Sequence, residues 1–200
     1  MMRKRLALVA PLLMCNAAPI GSPTAVFGIE VGQPVHLPEC SLHRFEGGAT
    51  FPEMYEQIQA VMCYERDIQP RDAPWRRGWI EFPPQQAPLI LHGHMISYFV
   101  VDGLVAGLHA ETLDRTNTDA IMRELTEKFG RPTSVENGSR AIEGIEVPLR
   151  VARWRLPWAL VEYRNVGEEI SFGTLMVMTP AFERLRDAHD RADLQARTPL

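Results

Sequence analysis

LILHGHMISYFVV (89–101), DG (102–103) and LVAGLHAET (104–112) is the stretch whose reading decides the fold. Two β-rich runs flank Asp102-Gly103, a dipeptide that favours the type I′ turn matching the right-handed twist of paired strands. With a two-residue loop, Val101 faces Leu104, Ile96 faces His109 and His94 faces Glu111. One face then carries Leu91, Gly93, Met95, Ser97, Phe99 and Val101 with Leu104, Ala106, Leu108 and Ala110, and is expected to be the core side. The other carries His92, His94, Tyr98, His109 and Glu111 and is expected to be wet.

Downstream, Thr116 and Asp119 have the spacing of a helix cap, and Ile121, Met122, Leu125 and Phe129 make an apolar stripe. Gly130 and Pro132 end that helix, which is expected to lie across the core side of the hairpin. A polar loop, Ser134 to Glu143, leads to strands over Val147–Leu156, Trp158–Asn165 and Ser171–Met178. Thr179-Pro180 then opens a charged last helix, Ala181 to about Arg197. Upstream, Val26–Val31 is the first ordered stretch, and Thr50 and Glu53 have capping-box spacing for a helix presenting Met54, Ile58, Val61 and Met62. The Pro- and Arg-rich segment from Arg66 to Pro88 holds one strand, Trp79–Phe82, and is expected at the surface. Successive hairpins without helical crossovers imply an antiparallel sheet. The expected fold is α+β, one sheet with helices packed on one face as a two-layer sandwich.

The N-terminus reads as a secretory signal. Arg3, Lys4 and Arg5 form a basic start, Leu6–Met14 an apolar run about half as long as a bilayer span, and small residues allow cleavage after Ala17. A lipoprotein reading would acylate Cys15, but Met14 is bulky where such signals carry Gly or Ala. The expected organisation is a signal over 1–17 and one α+β domain over 18–200, exported to the periplasm. Loss of three basic residues leaves 18 Lys and Arg against 25 Asp and Glu, a net charge of −7. Nucleic acid and anionic lipid both call for a basic face, so neither is expected as a partner, and no stable membrane span is expected. Two cysteines remain, Cys40 and Cys63, and an oxidising compartment favours a disulfide between them.

Chemistry is thinly marked. His92, His94, His109 and Glu111 share the wet face of the hairpin, and imidazoles with a carboxylate suit zinc or iron. A solvated sheet face is the plainer reading of the same four residues. His109-Ala110-Glu111 also matches half of the zinc-deaminase pattern, but the downstream Pro-Cys-x-x-Cys is missing. There is no Gly-x-Ser-x-Gly, no Gly-x-x-x-x-Gly-Lys and no His-Glu-x-x-His. With no nucleophile, base and oxyanion set to assemble, and no cofactor implied, the sequence points to a non-enzymatic binding or accessory module. A metal-dependent hydrolase on the histidine face is the alternative. Two segments suggest an interface, Trp75-Arg76-Arg77-Gly78-Trp79 and Trp154-Arg155-Leu156-Pro157-Trp158, because Trp and Arg are enriched at binding hot spots. Packing within the core is the competing use of those tryptophans. The expected partner is another protein or an envelope component.

Phe27-Gly28-Ile29, then Gly32, Pro34 and Pro38-Glu39-Cys40, with Val101-Asp102-Gly103 and a helix ending Lys128-Phe129-Gly130-Arg131-Pro132, form a further pattern. It resembles a loose group of small, uncharacterised periplasmic proteins of Gram-negative bacteria that share the Phe-Gly-Ile opening, the Pro-x-Cys and the Lys-Phe/Tyr-Gly-x-Pro helix end. The resemblance implies location and fold and transfers no activity.

Overall fold

Asp102 and Gly103 adopt φ of 52° and 81°, the left-handed pair a type I′ turn demands, and the hairpin they close stands at the centre of a large sheet. The computed structural model describes residues 23–40, 61–65 and 74–197. A small hairpin, β1 (Ala25–Val26) and β2 (Ile29–Glu30), comes first. The main sheet comprises β3 (Cys63–Glu65), β4 (Arg76–Glu81), β5 (Met95–Val101), β6 (Leu104–Thr112), β7 (Ser134–Ile142), β8 (Ile145–Arg155), β9 (Leu160–Arg164) and β10 (Gly173–Met178). Helix α1 (Thr118–Phe129) follows β6, and α2 (Pro180–Arg197) follows β10. The strand order is β3-β4-β5-β6-β10-β9-β8-β7, antiparallel at every junction. The chain is therefore α+β around an antiparallel sheet, as its hairpins require. The expected signal segment and the bulk of the helix expected over 50–62 lie outside the described residues.

The pairing of β5 with β6 departs from a simple two-residue hairpin. Val101 faces Leu104 and Val100 faces Val105, but Phe99 then faces Gly107, so Ala106 is an extra residue in β6. Beyond this bulge the register has slipped by one: His109 faces Ser97, not Ile96. Because side chains alternate, a one-residue slip exchanges the faces of everything that follows it relative to the partner strand. The principal core accordingly takes Ile96 and Tyr98 from β5 with Leu108 and Ala110 from β6. Tyr98, expected on the wet face, is buried, while Phe99 and Val101, expected in the principal core, point to the opposite side.

That opposite side has a smaller core of its own. Ile121 and Leu125 of α1 pack into the principal core with Val161, Tyr163, Leu175 and Val177. Phe182 of α2 packs instead with Ala106, Leu160 and Met178, flanked by Phe99 and Met176. These two sets take alternate residues of the same strands, so α1 and α2 lie on opposite faces of the sheet. The two-layer arrangement with helices on one face is thus corrected to three layers. The reason is that β5, β9 and β10 are apolar on both sides near their α2 ends, which leaves a second surface to cover.

The cap expected from Thr116 and Asp119 is not formed: a 3-10 turn over Arg115–Asn117 leads into α1, whose N-cap Asn117 makes no side-chain capping bond, and it is this turn that is capped. The side chain of Asp114, two residues before the expected Thr116, accepts from the Thr116 amide (2.9 Å) and its hydroxyl (2.6 Å). At the other end Gly130 takes φ of 80°, its amide donates to the Thr126 carbonyl, and its own carbonyl accepts from Trp154 Nε1 at 2.8 Å. The polar stretch expected as a loop over 134–143 is instead strand β7. It pairs with β8 along its whole length through a turn at Glu143-Gly144, whose φ values are 50° and 81°. Strand β4, expected at the surface, is bracketed by β3 and β5 and buries Ile80 completely.

Candidate functional site

Helix α2 covers only part of the second sheet face. The strands beyond it turn Arg77 and Trp79 (β4), Ser97 (β5), His109 and Glu111 (β6), Thr174 and Met176 (β10), and Glu162 and Arg164 (β9) to that same side, as the registers Trp79–Ser97, Ser97–His109, His109–Met176 and Met176–Glu162 dictate. Between these strands, α2 and the loop over 166–172 lies a cleft of about 520 Å³. A second hollow of about 240 Å³ adjoins it, bounded by Trp79, His92 and His94, and the two share Arg77, His109 and Glu111.

Arg77 sits at this junction. Its Nη2 donates to Ser97 Oγ at 3.0 Å, and its guanidinium lies 4.4 Å over the Trp79 ring, a cation–π contact that holds both side chains flat on the sheet. His109 is half-buried beside it. Burial, and then the Arg77 charge, push its imidazole below its ordinary value of 6.5, against the opposing pull of Glu111 and Glu168. Its surroundings therefore favour the neutral form of the ring. On the far wall Glu162 accepts from Arg153 Nε (2.6 Å) and Arg164 Nε (2.8 Å). Burial opposes its charge, but the two guanidiniums outweigh that and hold its carboxyl below the usual range. Arg186, one turn beyond Phe182 on α2, lines the cleft with its Nε buried and without a hydrogen-bond partner among the described residues.

The four residues expected as a metal set border this region without converging. The His92 ring stacks on Phe172 at 4.1 Å, and His94 Nε2 lies 3.6 Å from Glu81 Oε1. His94 does not face Glu111: its carbonyl accepts from Phe82, while the Glu111 carbonyl accepts from the His92 amide. Gly93, at φ of 83°, breaks the strand between the two histidines. Among the described residues, the acid, His and Cys side chains whose ligand atoms all fall within 4.8 Å of one another are Cys40, Cys63 and Glu81. No three of His92, His94, His109 and Glu111 meet that limit.

The tryptophans divide sharply. Trp154 is buried and belongs to the principal core, and Trp158 is half-buried against it, so these two rings are used in packing; Arg155 is exposed and reaches Glu183 of α2 at 3.7 Å. Trp75 packs edge-on against Phe182 and His189 beneath α2. Trp79, 37% exposed, is the most accessible of the four. Arg77, not Arg76, is its companion, because alternation places residues 77 and 79 on one side and 76 on the other. Period-2 reading of the segment would have found it. By its sequence setting Glu81 reads as a solvated strand acid, whereas it is 3% exposed. Cys40 and Cys63 are joined as a disulfide, as expected. No described helix is long and apolar enough to cross a membrane. Compared with protein-family models, curated proteins and solved structures, the chain matches none.

Proposed function

We propose that the protein is an exported, periplasmic, non-enzymatic binding module of the cell envelope, and that its binding surface is the open half of the second sheet face around Arg77 and Trp79. The observation that carries this reading is the exposed Trp79 ring with the Arg77 guanidinium stacked on it at the junction of the two hollows. A large apolar face beside a cation held in place is what interface hot spots are made of, because little side-chain entropy remains to be lost on docking. A net charge of −7 after removal of residues 1–17 favours a neutral or basic partner, another protein or an envelope component. The hydrolase alternative is not favoured, because its four side chains do not bring their ligand atoms together.

A photo-crosslinking amino acid at position 79, compared with one at exposed Val135 on the sheet edge, tests the surface in intact cells. A discrete adduct from position 79 that is absent from position 135 and lost on Arg77→Ala supports it; equal labelling from both sites rejects it. Export is tested by N-terminal sequencing of periplasmic extract. A start at Ala18 agrees with it, and a retained Met1 or an acylated Cys15 does not.

A further inference from the structure

We propose that Cys40, Cys63 and Glu81 form the core of a redox-gated metal site, with His94 beside Glu81 as a fourth donor once the site rearranges: closed as a disulfide in this structure, and able, once reduced by a dithiol, to hold zinc or a similar divalent ion. The fold assembles the four residues deliberately close. Cys63 faces Glu81 across β3 and β4, Glu81 faces Met95 across β4 and β5, and His94 immediately precedes Met95. Cys40 is brought in by its amide, which donates to the Tyr64 carbonyl at 2.9 Å. One ligand atom from each of Cys40, Cys63 and Glu81 lies within 4.8 Å of the others; His94 Nε2 is 3.6 Å from Glu81 Oε1 but does not meet that limit with the sulfurs, so it must turn toward them to ligate.

Those separations are on the scale that a metal sets. Tetrahedral zinc with Zn–S near 2.3 Å and Zn–N or Zn–O near 2.0 Å spaces its ligand atoms roughly 3.3–3.8 Å apart. The sulfurs, bonded in the structure, need to separate only to about 3.8 Å, a movement within reach of side-chain rotation. Two thiolates, an imidazole and a carboxylate are donors that suit zinc.

Glu81 is buried beside a neutral disulfide with His94 at 3.6 Å as its ion-pair partner among the described residues, and a divalent ion would pair with it more fully than that loose contact does.

The chemistry balances simply. A dithiol gives two electrons and two protons to the Cys40–Cys63 bond, leaving two protein thiols and the oxidised, disulfide form of the reductant. Binding of the divalent ion then displaces the two thiol protons to water, and Glu81 and His94 complete the coordination through oxygen and nitrogen.

The test uses the full mature chain, reduced with dithiothreitol, freed of it without air, and titrated with cobalt(II). Expected is one equivalent bound with a sulfur-to-cobalt charge-transfer band and tetrahedral d–d absorption, none in the oxidised protein, and displacement by zinc. Glu81→Gln and His94→Ala should each weaken binding by at least about ten-fold. Near-ultraviolet circular dichroism of the oxidised variants checks that they fold. The proposal is overturned by a reduced, folded protein that gives no band, by a band unchanged in both variants, or by a reduced chain that unfolds and is not restored by metal.

Discussion

Replacing Gly107 by Ala puts a methyl group where the structure has no room for one. An ideal Cβ at that position would lie 2.7 Å from Cδ1 and 2.8 Å from Cε1 of Phe182, and 3.0 Å from the Val177 carbonyl oxygen. The ring has nowhere to go: it is stacked on Phe99 with centroids 4.8 Å apart, meets Trp75 edge-on at 5.3 Å, and is 1% exposed. Overpacking of this kind costs about 1–3 kcal/mol. Against it stands the roughly 0.5–1 kcal/mol by which Ala is a better strand residue than Gly, since Gly107 takes no left-handed φ that only glycine accepts. The expected net loss is about 1–2 kcal/mol, read as a lower midpoint in urea unfolding at unchanged slope. Phe182→Ala alone should cost about 3–5 kcal/mol, and in that background Gly107→Ala should become close to neutral because the ring is gone and only the Val177 carbonyl contact at 3.0 Å remains. The coupling, about 2 kcal/mol, is what a double-mutant cycle measures. If Gly107→Ala has the same sign and size with and without the Phe182 ring, α2 does not dock on this glycine and the three-layer description is wrong at that point.

Trp154→Ala should cost about 3–5 kcal/mol in urea unfolding, because it empties a core position and orphans the Gly130 carbonyl, whereas Trp79→Ala should cost less than about 1 kcal/mol; comparable losses would contradict the division of the tryptophans between core and surface. His109 binds fewer protons folded than unfolded below its ordinary 6.5, so its stabilising contribution is complete above that value and is lost as pH falls through the folded pKa. His109→Gln should therefore flatten the decline of stability between pH 7 and 5, and an unaltered profile would show that burial and Arg77 do not act on this ring as described. Replacing both Cys40 and Cys63 by Ala opens a link across a 23-residue separation, and the chain-entropy relation sets the loss at about 3 kcal/mol, measurable as a drop in melting temperature.

The hairpin at 102–103 and the C-terminal end of α1 were legible because their signals are local: a turn dipeptide, and a stripe closed by Gly130. The bulge was not, although Gly107 within a strand is the kind of residue that accompanies one, because only the Phe182 ring on its far side makes the extra residue at 106 worthwhile. Strand β7 went unread for the opposite reason. An edge strand paired on one side and solvated on its faces has no need of apolar alternation, so Val135-Glu136-Asn137-Gly138-Ser139 looks like a loop even though Glu143-Gly144 marks a turn. The face chosen by α2 is a nonlocal decision among strands apolar on both sides. Of the candidate site, the polarity of His109 and Glu111 could be read, but their relation to Arg77 depends on a register set by the bulge. Glu81 owes its interest to what it lies beside.

Strand β7 also determines how the molecule meets copies of itself. Among the described residues this nine-residue edge strand pairs only with β8, leaving a row of outward backbone donors and acceptors of the kind on which sheets of different chains zip together. Here the row is dressed with Glu136, Asn137, Ser139 and Arg140 and carries Gly138 at its middle, so an incoming strand would have to bury charge to dock. The opposite edge, β3, is only three residues long and is bridged at Tyr64 by Glu39. Polarity at one border and brevity at the other are the features by which sheets discourage a neighbouring chain from adding a strand.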